Sequence, residues 1–395
     1  SSAASDVYKR QTGSRPFGWG QATIRSPIHL SCDNRTFVRP FGQTGRNPII
    51  FRDNREFHLS DGKCEIGRIQ RGLRPFANRK ALRLEETMEL RAHHHYPSRR
   101  SAVAADNLVS ASQPLATQAG VSMLARGGNA VDAALATAIT LTLVEPSGNG
   151  IGSDAFCILW DGQQLHGLNA SGRSPKGWTP ERFADADAIP FRGWESVTVP
   201  GAVSSWVALS ERFGKLPFET LFEPAIGYAE NGFPVSPIIS KLWAIAAEQL
   251  GHQPGFAQTF MPDGRAPTAG EYFRSPGHAR TLRLIAETKG KAFYEGVIAE
   301  EIEAFAKEHG AALSAEDMAA HEADWCGTIS RNFDDVTLHE IPPNGQGLAA
   351  LMALGILAQT NIRDLDADDP QAMHLQIEAM KLALRDAESY VADLD

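Results

Sequence analysis

The chain has 395 residues, 43% of them hydrophobic, and a formal net charge of −9, enough for one large domain or two ordinary ones with a sizeable core. The charge is unevenly spread: residues 1–100 carry 19 Lys+Arg against 9 Asp+Glu, and the remainder 19 against 38. Cys32, Cys64, Cys157 and Cys326 form no C-x-x-C pair, and no apolar run is long enough to cross a bilayer, so a disulfide framework, a zinc site and a membrane span are all disfavoured.

None of the seven methionines precedes Met88, and residues 1–87 are rich in Arg, Gly, Pro and Asn with neither helical nor alternating periodicity. A basic arm for nucleic acid or an acidic membrane is one reading. The change of charge sign, composition and methionine usage near one point favours another, a non-native or disordered leader upstream of a start at Met88. The folded domain is then expected over 88–395. The adjacent His93, His94 and His95 cannot all face one metal from a regular helix and read as a solvated leader. The N-terminus lacks a charged-then-apolar secretory pattern, which points to a cytoplasmic protein.

A first helix begins at Gln113-Pro114, with Ala119, Met123 and Leu124 on one face, and stops at Gly127-Gly128. Asn129 with Asp132 three residues on makes a capping box for a second helix over 130–144, apolar on most faces and therefore central. Residues 156–160 and 164–168 read as a hairpin around a two-residue Asp161-Gly162 turn, and Arg173 follows in a loop. Further elements are a strand at 196–199, helices at 202–213 and from Glu223 to Asn231, and a helix near 279–289 burying Leu282, Ile285 and Ala286. A helix follows with Ile298, Ile302 and Phe305 on one face and Gly310 as its stop. Ser314 and Asp317 form a possible capping box, 336–341 a strand, 342–347 a rigid turn and 348–358 a buried helix. The last helix runs from about Pro370 past Tyr390 with Met373, Ile377, Met380 and Leu384 inward. Mixed helices and hairpins without regular βαβ alternation indicate α+β layers.

The glycines at 148, 150 and 152 follow a helix and open a strand, the reverse of a dinucleotide fingerprint, so they read as a tight turn. There is no G-x-x-x-x-G-K-[ST] loop, no G-x-S-x-G elbow and no H-E-x-x-H pair. Arg173 is the side chain singled out: a guanidinium fork matches a carboxylate bidentately, and Ser171 and Gly172 leave room beside it. On composition alone, a loop arginine is more often a solvated surface residue.

The chain carries Pro-Leu-Ala-x-Gln-Ala-Gly at 114–120, Gly-Gly-Asn-Ala-Val-Asp-Ala-Ala at 127–134, Val-Glu-Pro at 144–146 and Gly-Ile-Gly at 150–152. Val-Pro-Gly at 199–201, Phe-Gly-x-Leu-Pro at 213–217, Glu-Pro-Ala-Ile at 223–226 and Asn-Gly-Phe at 231–233 follow. Ala-Phe-Tyr-x-Gly at 292–296, Pro-Pro-Asn-Gly-Gln-Gly at 342–347 and Glu-Ala-Met-Lys-Leu-Ala at 378–383 complete the set. From about Arg99 onward the chain resembles the large-subunit part of the γ-glutamyltransferase family.

The resemblance implies an N-terminal nucleophile hydrolase fold of four αββα layers, here incomplete. It also implies that Arg173 holds the α-carboxylate of a γ-glutamyl substrate such as glutathione. The nucleophile would be a threonine exposed by self-cleavage, expected beyond Asp395 at the start of a missing small subunit, so no catalytic residue is assigned within the chain. Apolar faces would then be left uncovered where that subunit packs. No cofactor, metal, nucleic-acid or membrane partner is expected. Many family members have Arg-Glu where this chain has Arg173-Ser174. With Asn-Gly-Gln-Gly at 344–347, this is closer to an acylase-like branch and keeps open a glutaryl or cephalosporin acylase. A non-catalytic scaffold homologue is the remaining alternative.

Overall fold

The computed structural model of the protein describes Val103 and residues 105–392. Of these, 106–392 belong to one compact unit and Val103 and Ala105 to a second. The expected leader, His93, His94, His95, Cys32 and Cys64 lie outside the described residues.

Helix α1 (Pro114–Ala125) starts as expected, with the Gln113 side chain accepting from the Leu115 and Ala116 amides, and Gly127 takes a left-handed φ of 85° beyond its end. Helix α2 (Ala130–Val144) is the core of the unit. The Asn129–Asp132 capping box forms as predicted. Asp132 is fully buried and also accepts from the Lys215 and Leu216 amides at 3.0 and 3.2 Å, so it ties the helix N-terminus to a distant loop. The buried hydroxyls of Thr137, Thr140 and Thr142 each donate 2.7 Å to a carbonyl one turn back. Three polar groups are thereby buried without an unsatisfied donor.

Strands β1 (Ala155–Trp160) and β2 (Leu165–Ala170) form an antiparallel hairpin with Trp160 opposite Leu165. Its connection is a four-residue loop rather than the two-residue turn expected. The Asp161 carboxylate takes the Gln163 and Gln164 amides at 2.7 and 2.8 Å and curls the chain by side-chain bonding, with Gly162 at φ 99°. The strand expected at 196–199 is absent. Trp194–Ser196 form a 3-10 turn, and in the extended segment after it the Val199 amide donates to the Arg173 carbonyl at 3.0 Å. That pairing is crowded. A Cβ on Gly172 would lie 1.4 Å from the Val199 carbonyl oxygen, and one on Gly201 1.9 Å from that of Ala170.

Helices α3 (Ala202–Phe213) and α4 (Glu223–Asn231) match expectation. The short pair β3 (Phe233–Pro234) and β4 (Tyr272–Phe273) brackets α5 (Pro237–Leu250) and α6 (Phe256–Phe260), which the sequence reading passed over. Helix α7 (Pro276–Thr288) buries Leu282, Ile285 and Ala286 as predicted. After α8 (Lys291–Tyr294), α9 (Val297–Glu308) buries Ile298, but Phe305 is half-exposed against the rings of Trp194 and His309. Helix α10 (Ala315–Ala319) has the expected Ser314–Asp317 box. Strands β5 (Ile329–Phe333) and β6 (Val336–Glu340) pair, the first having been missed. Among the described residues, the strands therefore pair only in twos.

Helix α11 (Gly347–Leu357) packs on α12 (Pro370–Tyr390), but with the opposite choice of face from that expected. Ala379, Ala383 and Ala387 meet Ala349, Ala353 and Leu357, while Met373 and Ile377 are 55% and 53% exposed. Met380 and Leu384 are also exposed. An alanine stripe lets two helices approach closely, which a stripe of long side chains does not. No helix among the described residues is long and apolar enough to cross a membrane.

Burial in α7 pushes the His278 imidazole down to about 4, while its Nε2 lies 3.1 Å from the Thr142 hydroxyl, which itself donates to the Ile139 carbonyl. The unfolded chain takes up this proton near pH 6.5 and the folded chain does not. The stabilisation is complete above about pH 6.5 and is lost as pH falls toward 4. His278→Gln, which keeps an N–H donor, should therefore flatten the fall in unfolding free energy between pH 7 and 4.5 by about 2 kcal/mol relative to the parent chain. Equal slopes in urea titrations of the two would refute this. Separately, Gly172→Ala should push the Arg173 loop off Val199 at a cost of about 2–3 kcal/mol. Hydrogen exchange at the Val199 amide should then rise at least about tenfold, with the α2 core amides little affected.

Candidate functional site

The β2 end feeds directly into a cleft of about 870 Å³. Its walls come from the loop after β2, the loop after Trp194, the segment after α10, the 344–346 turn and the end of α12. These segments converge where β2 ends at Ala170, and its last residues are taken over by other chains of hydrogen bonds. Asn169 exchanges backbone bonds with Asp324, both 2.8 Å. Its side chain opens a closed ring: Asn169 Nδ2 donates to Asn344 Oδ1 (2.9 Å), Asn344 Nδ2 to Ser171 Oγ (2.9 Å), and Ser171 Oγ to Asn169 Oδ1 (2.7 Å). Around the ring each member gives one proton and accepts one, and Asn169 Oδ1 also accepts from the Ser171 amide at 2.9 Å, so the bonds reinforce one another. It staples the Arg173 loop to the turn 342–347 across more than 170 residues of sequence.

Arg173 is exposed and lines this cleft. Its backbone carbonyl is held by the Val199 amide, so the loop below the guanidinium is fixed from two sides, by the ring at Ser171 and by Val199. Further along, the Lys176 amide donates to Asp317 Oδ1 at 3.0 Å, and Lys176 Nζ pairs with Glu316 at 2.6 Å. The Asp317 carboxylate thus serves both its own helix cap and the far end of the loop.

His321 forms another part of the wall. The Ser204 hydroxyl donates to the Gly201 carbonyl (2.7 Å) and so accepts from His321 Nε2 (2.9 Å). Tyr294 stacks on the imidazole with centroids 5.4 Å apart; its hydroxyl donates to the Pro200 carbonyl and accepts the Ser204 amide. Burial, and after it the positive charge of Arg173, hold the His321 imidazole below its ordinary range, and burial pushes the Tyr294 phenol up to about 12. Both are neutral near pH 7, so His321 adds no charge to compete with Arg173 for an anion.

Of the residues singled out from sequence, the structure brings Arg173, Ser171, Gly172 and the 342–347 turn into one place. The glycines at 148, 150 and 152 stay apart, and the Gly150 amide is taken by Ser153 Oγ in a local turn. Cys157 is half-buried, and burial pushes its thiol up to about 11, which leaves it unreactive. Sequence reasoning missed His321, Asn169 and Asp317 as members of the site. Asn344 was visible only as part of the 342–347 motif, and nothing local to His321 marks it out. Among the described residues, no group of three or more His, Cys, Asp or Glu is placed to hold a metal ion.

A family model described as Gamma-glutamyltranspeptidase matches residues 116–395. The chain is 34% identical over 297 residues to the glutathione hydrolase-like YwrD proenzyme of Bacillus subtilis, covering 74% of this chain and 57% of that protein. It is 36% identical over 297 residues to the oxamate amidohydrolase proenzyme of Klebsiella pneumoniae, covering 73% and 56%. Its fold matches the crystal structure of cephalosporin acylase from Bacillus halodurans with a TM-score of 0.69 and 45% identity, covering 78% of this chain and 59% of that one. The chain spans just over half the length of these curated relatives. Its α+β architecture is that of the N-terminal nucleophile hydrolases, and the chain belongs to the gamma-glutamyltranspeptidase family.

Proposed function

We propose that this chain forms the substrate-anchoring half of an amide-cleaving enzyme of γ-glutamyltransferase type, with Arg173 as the carboxylate anchor. The observation that carries this is an arginine on a doubly stapled loop at the wall of an 870 Å³ cleft. A planar guanidinium offers two parallel N–H donors to a carboxylate, and holding the loop fixed lowers the ordering cost of that pairing. The substrate is a γ-glutamyl amide such as glutathione, held by its α-carboxylate so that the γ-amide carbonyl is presented to the nucleophile.

The bond-breaking group is assigned to no residue of this cleft. By family resemblance it is the hydroxyl of an N-terminal threonine freed by self-cleavage in a partner segment of the same precursor. Its own α-amino group takes the hydroxyl proton, and backbone amides receive the oxyanion. Water or an amine then takes the acyl group. Arg173 contributes orientation rather than chemistry in this scheme.

A second reading is favoured by the 45% identity to a cephalosporin acylase and by Arg173-Ser174 in place of Arg-Glu. In it the acyl group is a dicarboxylic one such as glutaryl, which lacks the α-amino group. Matched γ-glutamyl and glutaryl anilides separate the two readings by which is cleaved with the higher kcat/KM.

In the self-processed enzyme, Arg173→Ala should lower kcat/KM for the preferred anilide by about 100-fold, or ~3 kcal/mol, mostly through KM, with Arg173→Lys recovering only part. Unchanged KM and kcat would remove Arg173 from its role. Asn344→Ala opens the hydrogen-bond ring and frees the loop. It should raise KM about five- to tenfold while kcat stays within about twofold, and steady-state kinetics on the same substrate reads that split.

A further inference from the structure

Beyond the carboxylate anchor, the same cleft has an apolar wall that the proposed role of Arg173 does not use. Trp178, Thr179, Pro180, Phe183 and Ile189 line it from the stretch following Arg173. Lys176 is the one charged lining residue between 176 and 189, and its Nζ is engaged with Glu316. Trp178 and Phe183 meet edge to face, with centroids 5.8 Å apart and planes at 88°, and both are only half-buried. Aromatic surface already assembled but incompletely covered gains most from an apolar or aromatic ligand group.

The wall is built before any ligand arrives. A turn closed by the Trp178 amide on the Pro175 carbonyl at 2.9 Å leads into a 3-10 turn at Pro180–Phe183, where the Arg182 amide donates 3.1 Å to the Thr179 carbonyl. Arg182 turns outward, pairing with Glu195 and donating 2.6 Å to the Gly310 carbonyl. The Lys176 amide is pinned by Asp317. A pre-ordered surface binds without a large ordering cost. Size points the same way, since pockets of roughly 300–1,000 Å³ accept drug-sized ligands. A cleft of about 870 Å³ holds far more than one glutamyl group.

We propose that Trp178, Phe183 and Ile189 form a subsite for an aromatic or branched apolar amine portion of the amide substrate, in the same cleft as the carboxylate anchor. The substrate class is then an amide joining a short carboxylate-ended acyl group to a bulky apolar amine. The inference rests on the Arg173 reading for the carboxylate end of that ligand only.

The test is isothermal titration of the full-length precursor, its nucleophilic threonine replaced by alanine so that neither probe is cleaved, with glutaric acid monoanilide and glutaric acid monomethylamide. They share a carboxylate and an amide and differ in the ring. The anilide should bind at least about tenfold tighter. Trp178→Ala should abolish most of that advantage, Trp178→Phe should keep it, and neither should change methylamide affinity. Equal binding of the two probes, or an advantage that survives Trp178→Ala, overturns the subsite. So does a Trp178→Ala loss that is equal for both probes, because Trp178 would then only support the loop. Arg173→Ala should weaken both probes by the same factor. If it weakens neither while the ring advantage persists and depends on Trp178, the carboxylate reading falls and the subsite stands. Absence of binding by both probes overturns both.

Discussion

The end of β2 is where this molecule commits itself. Gly172 and Gly201 leave no space for a side chain between the Arg173 loop and the 199–201 segment. The Val199 amide and the Asn169–Asn344–Ser171 ring take up polar groups that strand pairing would otherwise satisfy. Buried backbone groups must find partners, and here they find them in segments far away in sequence. A loop that would otherwise be a loose excursion becomes a fixed ledge carrying a guanidinium. The cleft depends on this, because its other walls are arranged around that ledge.

The support beneath the ledge is of a different kind. Helix α2 is buried on almost every side, and its polar groups are satisfied internally by threonine hydroxyls and by Asp132. Helix α3 begins immediately after the crowded Gly201, so the Ser204 hydroxyl and amide that hold His321 and Tyr294 are placed by a regular element. Position is thus passed from a dry core, through a helix N-terminus, to a neutral imidazole beside a permanent cation. That neutrality is physically useful. A second positive charge would bind anions without orientation, whereas a single fork imposes direction.

The alanine contact between α11 and α12 leaves the long apolar side chains of α12 facing outward, and Trp160 and Val336 are also exposed on the β1–β2 and β5–β6 hairpins. Apolar surface of this extent is characteristic of a surface that another segment covers. The strands pairing only in twos point the same way, since a two-stranded ribbon alone is marginal in water. Both features agree with a chain spanning just over half the length of its curated relatives.

Most element positions were legible in the residues, because their signals are local. The Asn129–Asp132 and Ser314–Asp317 boxes, the Gly214 and Gly310 stops and the Pro370 start act within one helical turn and form as read. The family resemblance and the choice of Arg173 also came from sequence. Errors arose where two local patterns competed. On α12, a bulky stripe and an alanine stripe lie side by side, and only the approach of α11 selects between them. At Asp161, side-chain bonding to two amides displaced the tight turn that Asp-Gly suggests. The hydrogen-bond ring, His321 and the Trp178 wall could not be read at all. They exist because residues up to 175 positions apart are brought within about 3 Å, and no single stretch of sequence records which distant backbone group will be left needing a partner.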